Sequence, residues 1–381
     1  MPATTLPSVP HYISGPVTQE DLDWAELPIL DISKAHTPEG LAELAPVVCD
    51  AMRTQGFLYV VNHGLTQAQV SDIGNSLDCL RTDSRQNDRI FDIADVPFSQ
   101  VSDQEKKNHV VKPLETGLFT GYKERQYFHI DNGVRDQLEM FQITERGQGY
   151  PAAVRPLLPE IRAWSEYNHF KVVHPLLRLL ALGMELPEDT FVNMHQFEGP
   201  SETWSTFPRT DEDEEKSKNV WLKGHTGYRL ADLGSLTILW SQPVSGLQVL
   251  LPDGKWRWVK HMENALVVNL GDSLEMLSGG FYKAAIHRVV QPPPDQRGRT
   301  RLGAFYFSLP DDPVRLVPLA QSPVFSRAGV EVKRRCADAD APTAAAWRAA
   351  RVMAYGQTVL TKREGNVEEE VVNGVVVKHY N

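Results

Sequence analysis

Three observations predict a protein built around an antiparallel β sandwich or barrel and wrapped by helices. From about Val220 onward, short apolar runs arrive roughly every ten residues: "SLTILW", "GLQVLL", "KWRWVK", "ALVVNLG", "IHRVVQ" and "RLGAFYFSL". They are separated by turn-forming stretches, "SQPVSG", "PDG", "GD" and "PPPDQRG". Ahead of them, residues 152–186 repeat leucines and aromatics at i, i+3 and i+4, the spacing of a helix buried along one face. Strand-like runs also occur early, so the β core begins near the start of the chain and completes late, with a helical half packed around it.

The elements follow in order. Residues 1 to about 26 are proline-rich and aperiodic, which predicts an arm laid over the surface. "LPILDIS" (27–33) is a short apolar strand. "GLAELAPVVCDAMRTQG" has helical periodicity and stops at Gly56. "FLYVVNHG" (57–64) is aromatic and β-branched, a buried strand with His63 in a structural role at its end. A charged helical stretch runs to about Asp92, and "VSDQEKKNH" opens another helix. "TGLFTGYKERQ" is strand and loop. Pro156, Pro159 and Pro175 mark the start and a kink of the helix over 152–186. His169 and His174 on it are read as core or surface groups, His261 as a surface residue, and 340–364 as a C-terminal helix followed by a valine-rich polar end.

Composition bounds the function. The 381 residues are 41% hydrophobic and 23% charged, a globular balance, with a formal net charge of −10. A nucleic-acid-binding surface needs a basic patch, and this balance argues against one. Cys49, Cys79 and Cys336 form no CxxC pair and are odd in number, which predicts a reducing compartment. The first residues carry no apolar secretory signal, and no apolar run approaches a membrane span. The expectation is a cytoplasmic protein with a small-molecule substrate, no membrane, no nucleic acid and no evident partner protein.

Chemistry concentrates in the strand-rich half. His225 with a nearby acid, then His287 in "KAAIHRVVQPP", then Arg301 in "RTRLGAFYF" occur in that order. Two imidazoles and a carboxylate can occupy one face of an octahedral Fe(II) and leave three positions open. An arginine deeper in a barrel can clamp a distal carboxylate bidentately. Tyr122, Lys123, Arg125, Phe281 and Tyr282 either line a pocket or pack and solvate strands.

"GFLYVVNHGL", "PFSQVSDQEK", "DQLEMFQI", "DLGSLTILWSQPVSGLQVLLPDGKWRWVKH", "ALVVNLGDSLEMLSGGFYKAAIHRVVQPP" and "RLGAFYFSLP" carry a resemblance from about Leu27 to Pro318. The chain resembles the isopenicillin-N-synthase-like branch of the 2-oxoglutarate/Fe(II)-dependent dioxygenases, most closely its fungal members. The resemblance implies a double-stranded β-helix (jelly-roll) core with N- and C-terminal helices. It also implies O2 activation at Fe(II), with 2-oxoglutarate converted to succinate as a small organic metabolite is oxidised. The implied layout is an N-terminal region over 1–200, the jelly-roll core over 201–325, and a C-terminal helix and tail over 326–381. His225 and His287 match the ligand histidines, and Arg301 matches the arginine that binds the far carboxylate of 2-oxoglutarate.

Three departures qualify the match. Gly303 stands in place of the usual serine of Arg-x-Ser, removing a hydrogen bond worth on the order of 1 kcal/mol. Phe207 precedes Pro208 where the family has a tyrosine. Most consequentially, "GYRLA" (227–231) separates "HT" from "DLGSLT". The simplest expectation is an insertion that loops out, with Asp232 the displaced third ligand turned back towards His225 and His287. Two alternatives compete: an impaired or metal-free homologue that binds a ligand or partner, and a radical halogenase whose Gly227 leaves a coordination position for chloride. The expected reaction is a hydroxylation, desaturation or ring formation in fungal secondary metabolism or heterocycle catabolism.

Overall fold

The computed structural model describes residues 6–380 except 66–88, 113–114, 116–119, 128, 132–133, 136–137, 145–148, 200–203, 211–231, 355–360, 363–366 and 373. Strands are β1 (Ile29–Asp31), β2 (Phe57–Val61), β3 (Gly121–Lys123), β4 (His129–Asp131), β5 (Val134–Arg135), β6 (Leu138–Thr144), β7 (Trp204–Thr210), β8 (Leu236–Trp240) and β9 (Leu247–Leu250). They continue as β10 (Trp256–Trp258), β11 (Leu266–Leu270), β12 (His287–Val289), β13 (Arg301–Leu302), β14 (Phe305–Ser308), β15 (Thr361–Lys362), β16 (Val367–Val372) and β17 (Val375–Tyr380).

Among the described residues a large sheet runs β1-β2-β11-β8-β14-β7-β6-β3, with β13 also on β7, and a smaller sheet runs β10-β9-β12. The two sheets face each other as the double-stranded β-helix that the resemblance implies. Alternation along the strands sorts side chains between two cores. Leu236, Ile238 and Trp240, like Leu266, Val268 and Leu270, enter the core shared with the helices. Leu239 and Val267 point the other way and meet Phe57, Tyr59, Leu247 and Val249 inside the barrel. A strand buried on both faces reads as a continuous apolar run, as "SLTILW" and "ALVVNLG" do.

The helices close one side. α1 (Pro38–Thr54) is capped by the Thr37 hydroxyl, which accepts from Gly40 N, and Gly56 beyond it takes φ 71°, which lets the chain turn into β2. α2 (Arg89–Ser99) and α3 (Asp103–Asn108), the latter capped by Ser102, follow. The helix expected over 152–186 is more articulated than its periodicity implies. α4 (Leu158–Tyr167) passes into a π-helical turn (Asn168–Val173) and then α5 (His174–Gly183). Pro175 lacks the N–H a regular turn would use, and the wide turn just before it accommodates the ring. The C-terminal helix is shorter than predicted: after α6 (Asp272–Leu277) and α7 (Pro323–Ala328), α8 covers only Ala344–Ala354. Thr361 and Lys362, expected to be helical, start a three-stranded sheet, β15-β16-β17, that buries Val372, Val375 and Val377.

The N-terminal arm lies on the surface as expected. Pro16 O accepts from Gln296 Nε2 at 2.6 Å, and Thr18 Oγ1 donates to Asp295 Oδ1 at 2.7 Å. No helix of the described residues is long and apolar enough to cross a membrane.

Candidate active site

Asp232 lies four residues ahead of the start of β8. Its Oδ2 accepts from Asn269 Nδ2 at 2.6 Å and from the Thr237 hydroxyl. Thr237 and Asn269 occupy inward positions of β8 and β11, which pair directly with each other. The carboxylate is therefore drawn to the barrel interior and held by two neutral donors, while Oδ1 has no hydrogen-bond partner among the described residues. A carboxylate fixed through one oxygen with the other left over suits a single metal–oxygen bond, since outer partners of this kind orient a ligand.

His287 opens β12, opposite Val249 of β9, and so faces the same interior. Its ring meets Phe57 edge-on, with centroids 5.7 Å apart. Phe57 in turn pairs with Asn269 across β2 and β11. Asp232, Asn269, Phe57 and His287 thus form a contiguous group at one end of the barrel. The His287 Nδ1 atom is 3.3 Å from Ala285 O. A proton on Nδ1 donated to that carbonyl leaves the Nε2 lone pair for a metal. One carboxylate oxygen and one imidazole nitrogen form a donor set that fits Fe(II).

His225 and the inserted residues 227–231 lie outside the described residues, as do the side chains of Phe207 and Pro208. Among the described residues no cluster of three or more metal-ligating side chains occurs, and these residues contain only two of the three predicted ligands.

Arg301 lies towards the other end of the barrel. It is 6% exposed, its Nε donates to Val244 O at 3.1 Å, and burial pushes its pKa down to about 10. Gly246 makes room for it, because a Cβ there would press on the guanidinium stem. Val289 pairs with Leu247, and Val290 N donates to Gly246 O at 2.7 Å, so β9 and β12 run from His287 towards Arg301. Val249 and Gly246 are three residue steps apart along the strand, about 10 Å of backbone. Ser241, Lys260 and His261 line the cleft beside Arg301. His261, expected at the surface, is instead partly buried and bonded through Nδ1 to Ser241 Oγ at 2.8 Å. The strand ends there fold its side chain inward.

The remaining candidates resolve into packing. Phe281 and Tyr282 belong to the helical core, and Tyr282 OH donates to Leu180 O at 2.8 Å. Tyr122 donates to Glu139, which also accepts from Arg125 at 2.8 Å, and Lys123 Nζ donates to Leu138 O. His63 contacts Asn264 O at 3.2 Å and Trp240 edge-on. His169 is buried between Tyr306 OH at 2.8 Å and His195 O at 3.0 Å. Sequence reasoning misses His195, which lies between Phe191 O and Ser235 Oγ at 2.7 Å each. It also misses Thr237 and Asn269. Their signal is a polar residue on the inward phase of an otherwise apolar strand.

Two family models match the chain: the 2OG-Fe(II) oxygenase superfamily over residues 208–309, and the non-haem dioxygenase in morphine synthesis N-terminal region over residues 27–164. The chain is similar to the 2-oxoglutarate-Fe(II) type oxidoreductase hxnY of Emericella nidulans, with 27% identity over 306 residues covering 76% of this chain and 82% of that protein. It is 34% identical over 142 residues to the 2-oxoglutarate-dependent dioxygenase FG08081 of Gibberella zeae, covering 37% of this chain and 41% of that protein. In fold it is similar to a full-length Neurospora crassa protein solved in complex with alpha-KG and 5-formyluracil. The TM-score is 0.67 at 19% identity, covering 88% of this chain and all of that one.

Proposed function

Since the chain belongs to the 2OG-Fe(II) oxygenase superfamily and is a 2-oxoglutarate-dependent dioxygenase using Fe(II), 2-oxoglutarate and O2, we propose that His225, Asp232 and His287 hold its iron and Arg301 its co-substrate. The observation that carries this reading is the inward Asp232 carboxylate, tied down through Oδ2 and grouped with His287. When bound, Fe(II) supplies O2 activation coupled to 2-oxoglutarate decarboxylation. The protein's own part is to orient and to exclude water. Asn269 and Thr237 fix the carboxylate. Ala285 O fixes the imidazole tautomer. Arg301 sits in a desolvated cleft where a carboxylate is a strong partner. Phe57, Leu239, Val249 and Val267 line the space between with apolar surface.

Membership of the oxygenase family supports a small organic metabolite as the second substrate. Hydroxylation, desaturation or ring formation in fungal secondary metabolism or heterocycle catabolism is the proposed reaction class. We retain the three-part layout with boundaries at residues 200 and 325, and a cytoplasmic location, as part of this reading. Cys49 and Cys336 are free thiols, which supports the latter.

Anaerobic titration with Fe(II) and then 2-oxoglutarate, followed by its charge-transfer absorption, tests the proposal. The wild type is expected to develop the band and His287→Ala to lose it. An equal band in both would remove His287 as a ligand. No band in either would favour a metal-free binding protein, and turnover that depends on chloride would favour a halogenase.

A further inference from the structure

We propose that Arg335 and helix α8, acting through buried Asp272, form a clamp that positions Asp232 for the metal. The inference rests on Asp232 being a ligand. Arg335 and α8 lie beyond the 208–309 stretch of the oxygenase match.

The backbone that carries Asp232 is gripped by the first turn of α6. Asp272 N donates to Asp232 O at 3.0 Å, Ser273 N to Gly234 O at 3.0 Å, and Gly271 N to Ser235 O at 2.9 Å. Ser273 Oγ donates to Leu233 O at 2.6 Å. The approach is so close that a side chain at Gly271 would collide with the carbonyls of Asp232 and Gly234. Every carbonyl from Asp232 to Ser235 is thus engaged by three consecutive residues, 271–273. This grip matters here because the residues just before Asp232 are the inserted ones.

What fixes that turn comes from the C-terminal region. The Asp272 carboxylate is fully buried. Arg335 Nη2 donates to Asp272 Oδ1 at 2.9 Å and to Glu275 Oε2 at 2.8 Å, bridging the two carboxylates of α6. Arg351 of α8 places Nη2 3.8 Å from Asp272 Oδ2. Burial disfavours the Arg335 charge, but the two carboxylates more than offset this and hold its pKa above the usual arginine value. Removing one partner from such a buried pair leaves an uncompensated charge, so the local structure must shift. α8 also shares a small apolar cluster with the ligand segment, since Val352 packs with Val111 and Leu233 packs against that cluster. Arg335 and α8 therefore act on Asp232 through its backbone and through its neighbour's side chain. They are positioning residues, remote from any reacting atom.

The test uses the full-length protein and anaerobic Co(II) titration, read by the visible absorption of the bound ion, with denaturant unfolding measured in parallel. Arg335→Met is expected to weaken Co(II) binding roughly 10–100-fold, the usual cost of disturbing a group that orients a ligand. Arg335→Lys, which restores the charge without the planar fork, is expected to recover part of the loss. Amide exchange at Leu233–Ser235 should quicken in Arg335→Met. Should that variant fail to fold, Asp272→Asn and Val352→Ala carry the same expectation. Co(II) affinity equal to wild type in folded variants, even with lower global stability, would overturn the clamp. Asp232→Ala separates the two ideas. If it binds Co(II) as well as wild type, the ligand assignment itself fails; if it loses binding while Arg335→Met keeps it, only the clamp fails.

Discussion

Arg301→Met should make the ligand-free protein more stable while removing its response to 2-oxoglutarate. The guanidinium is nearly inaccessible, and burial takes its pKa from 12.5 to about 10. At 1.36 kcal/mol per unit, holding that charge in the fold costs about 3 kcal/mol. Against this stands the hydrogen bond to the Val244 carbonyl, worth about 1 kcal/mol; the attraction of Tyr12 is already contained in the lowered pKa. Methionine fills much of the same space with no charge to bury, so a net gain of about 1–2 kcal/mol is expected from denaturant unfolding without ligand. With a metal and excess 2-oxoglutarate the order should reverse. A ligand at a hundred times its dissociation constant adds about 2.7 kcal/mol to the wild type, and the variant, short of roughly 2–5 kcal/mol of binding energy, should gain at most about 1 kcal/mol. A variant that is less stable without ligand and still stabilised by 2-oxoglutarate would refute the reasoning, because Arg301 would then be a structural arginine with no part in the co-substrate site.

Deleting residues 227–231 should restore an uninterrupted "HTDLGSLT" and tighten iron binding; a folded deletion protein with wild-type affinity would mean that the insertion does not disturb the ligands. Asn269→Ala removes one of the two donors on Asp232 and should weaken Fe(II) binding by roughly 10–100-fold, with calorimetric titration as the check and an unchanged constant as the contrary result. Acid should destabilise the fold. Burial, reinforced by neighbouring histidines, lowers the pKa of His169 to about 3 and of His195 to about 4. Both stay neutral in the fold while the unfolded chain takes up protons below about 6.5, so stability is full above that pH and falls from there towards pH 4. For the two together the loss between pH 7.5 and 5.5 is about 3 kcal/mol, and His195→Gln should flatten the pH dependence of unfolding. Equal slopes in wild type and variant would exclude His195.

The sequence alone determined the class of fold and the chemistry sought in it. Short apolar runs punctuated by Gly, Pro and Asp can bury both faces only in a closed or stacked sheet, and "SLTILW" and "ALVVNLG" became adjacent central strands, β8 and β11. The order of the proposed site residues His225, Asp232, His287 and Arg301 was open to the same reading, because a reaction needs particular functional groups and those are printed in the chain. What spacing could not decide was direction. The seven positions from His225 to Asp232 gave the wrong parity for a regular strand, and the inward turn of Asp232 follows from Asn269 and Thr237, one of them 37 residues away along the chain. His261 was misplaced for the same reason: a residue after a strand has no periodicity to give its side. The grip of residues 271–273 on the Asp232 backbone, and of Arg335 on Asp272, could not be read at all. Hydrogen bonds between distant backbone groups and ion pairs between distant segments leave no periodic trace, and only the folded chain brings those partners within reach.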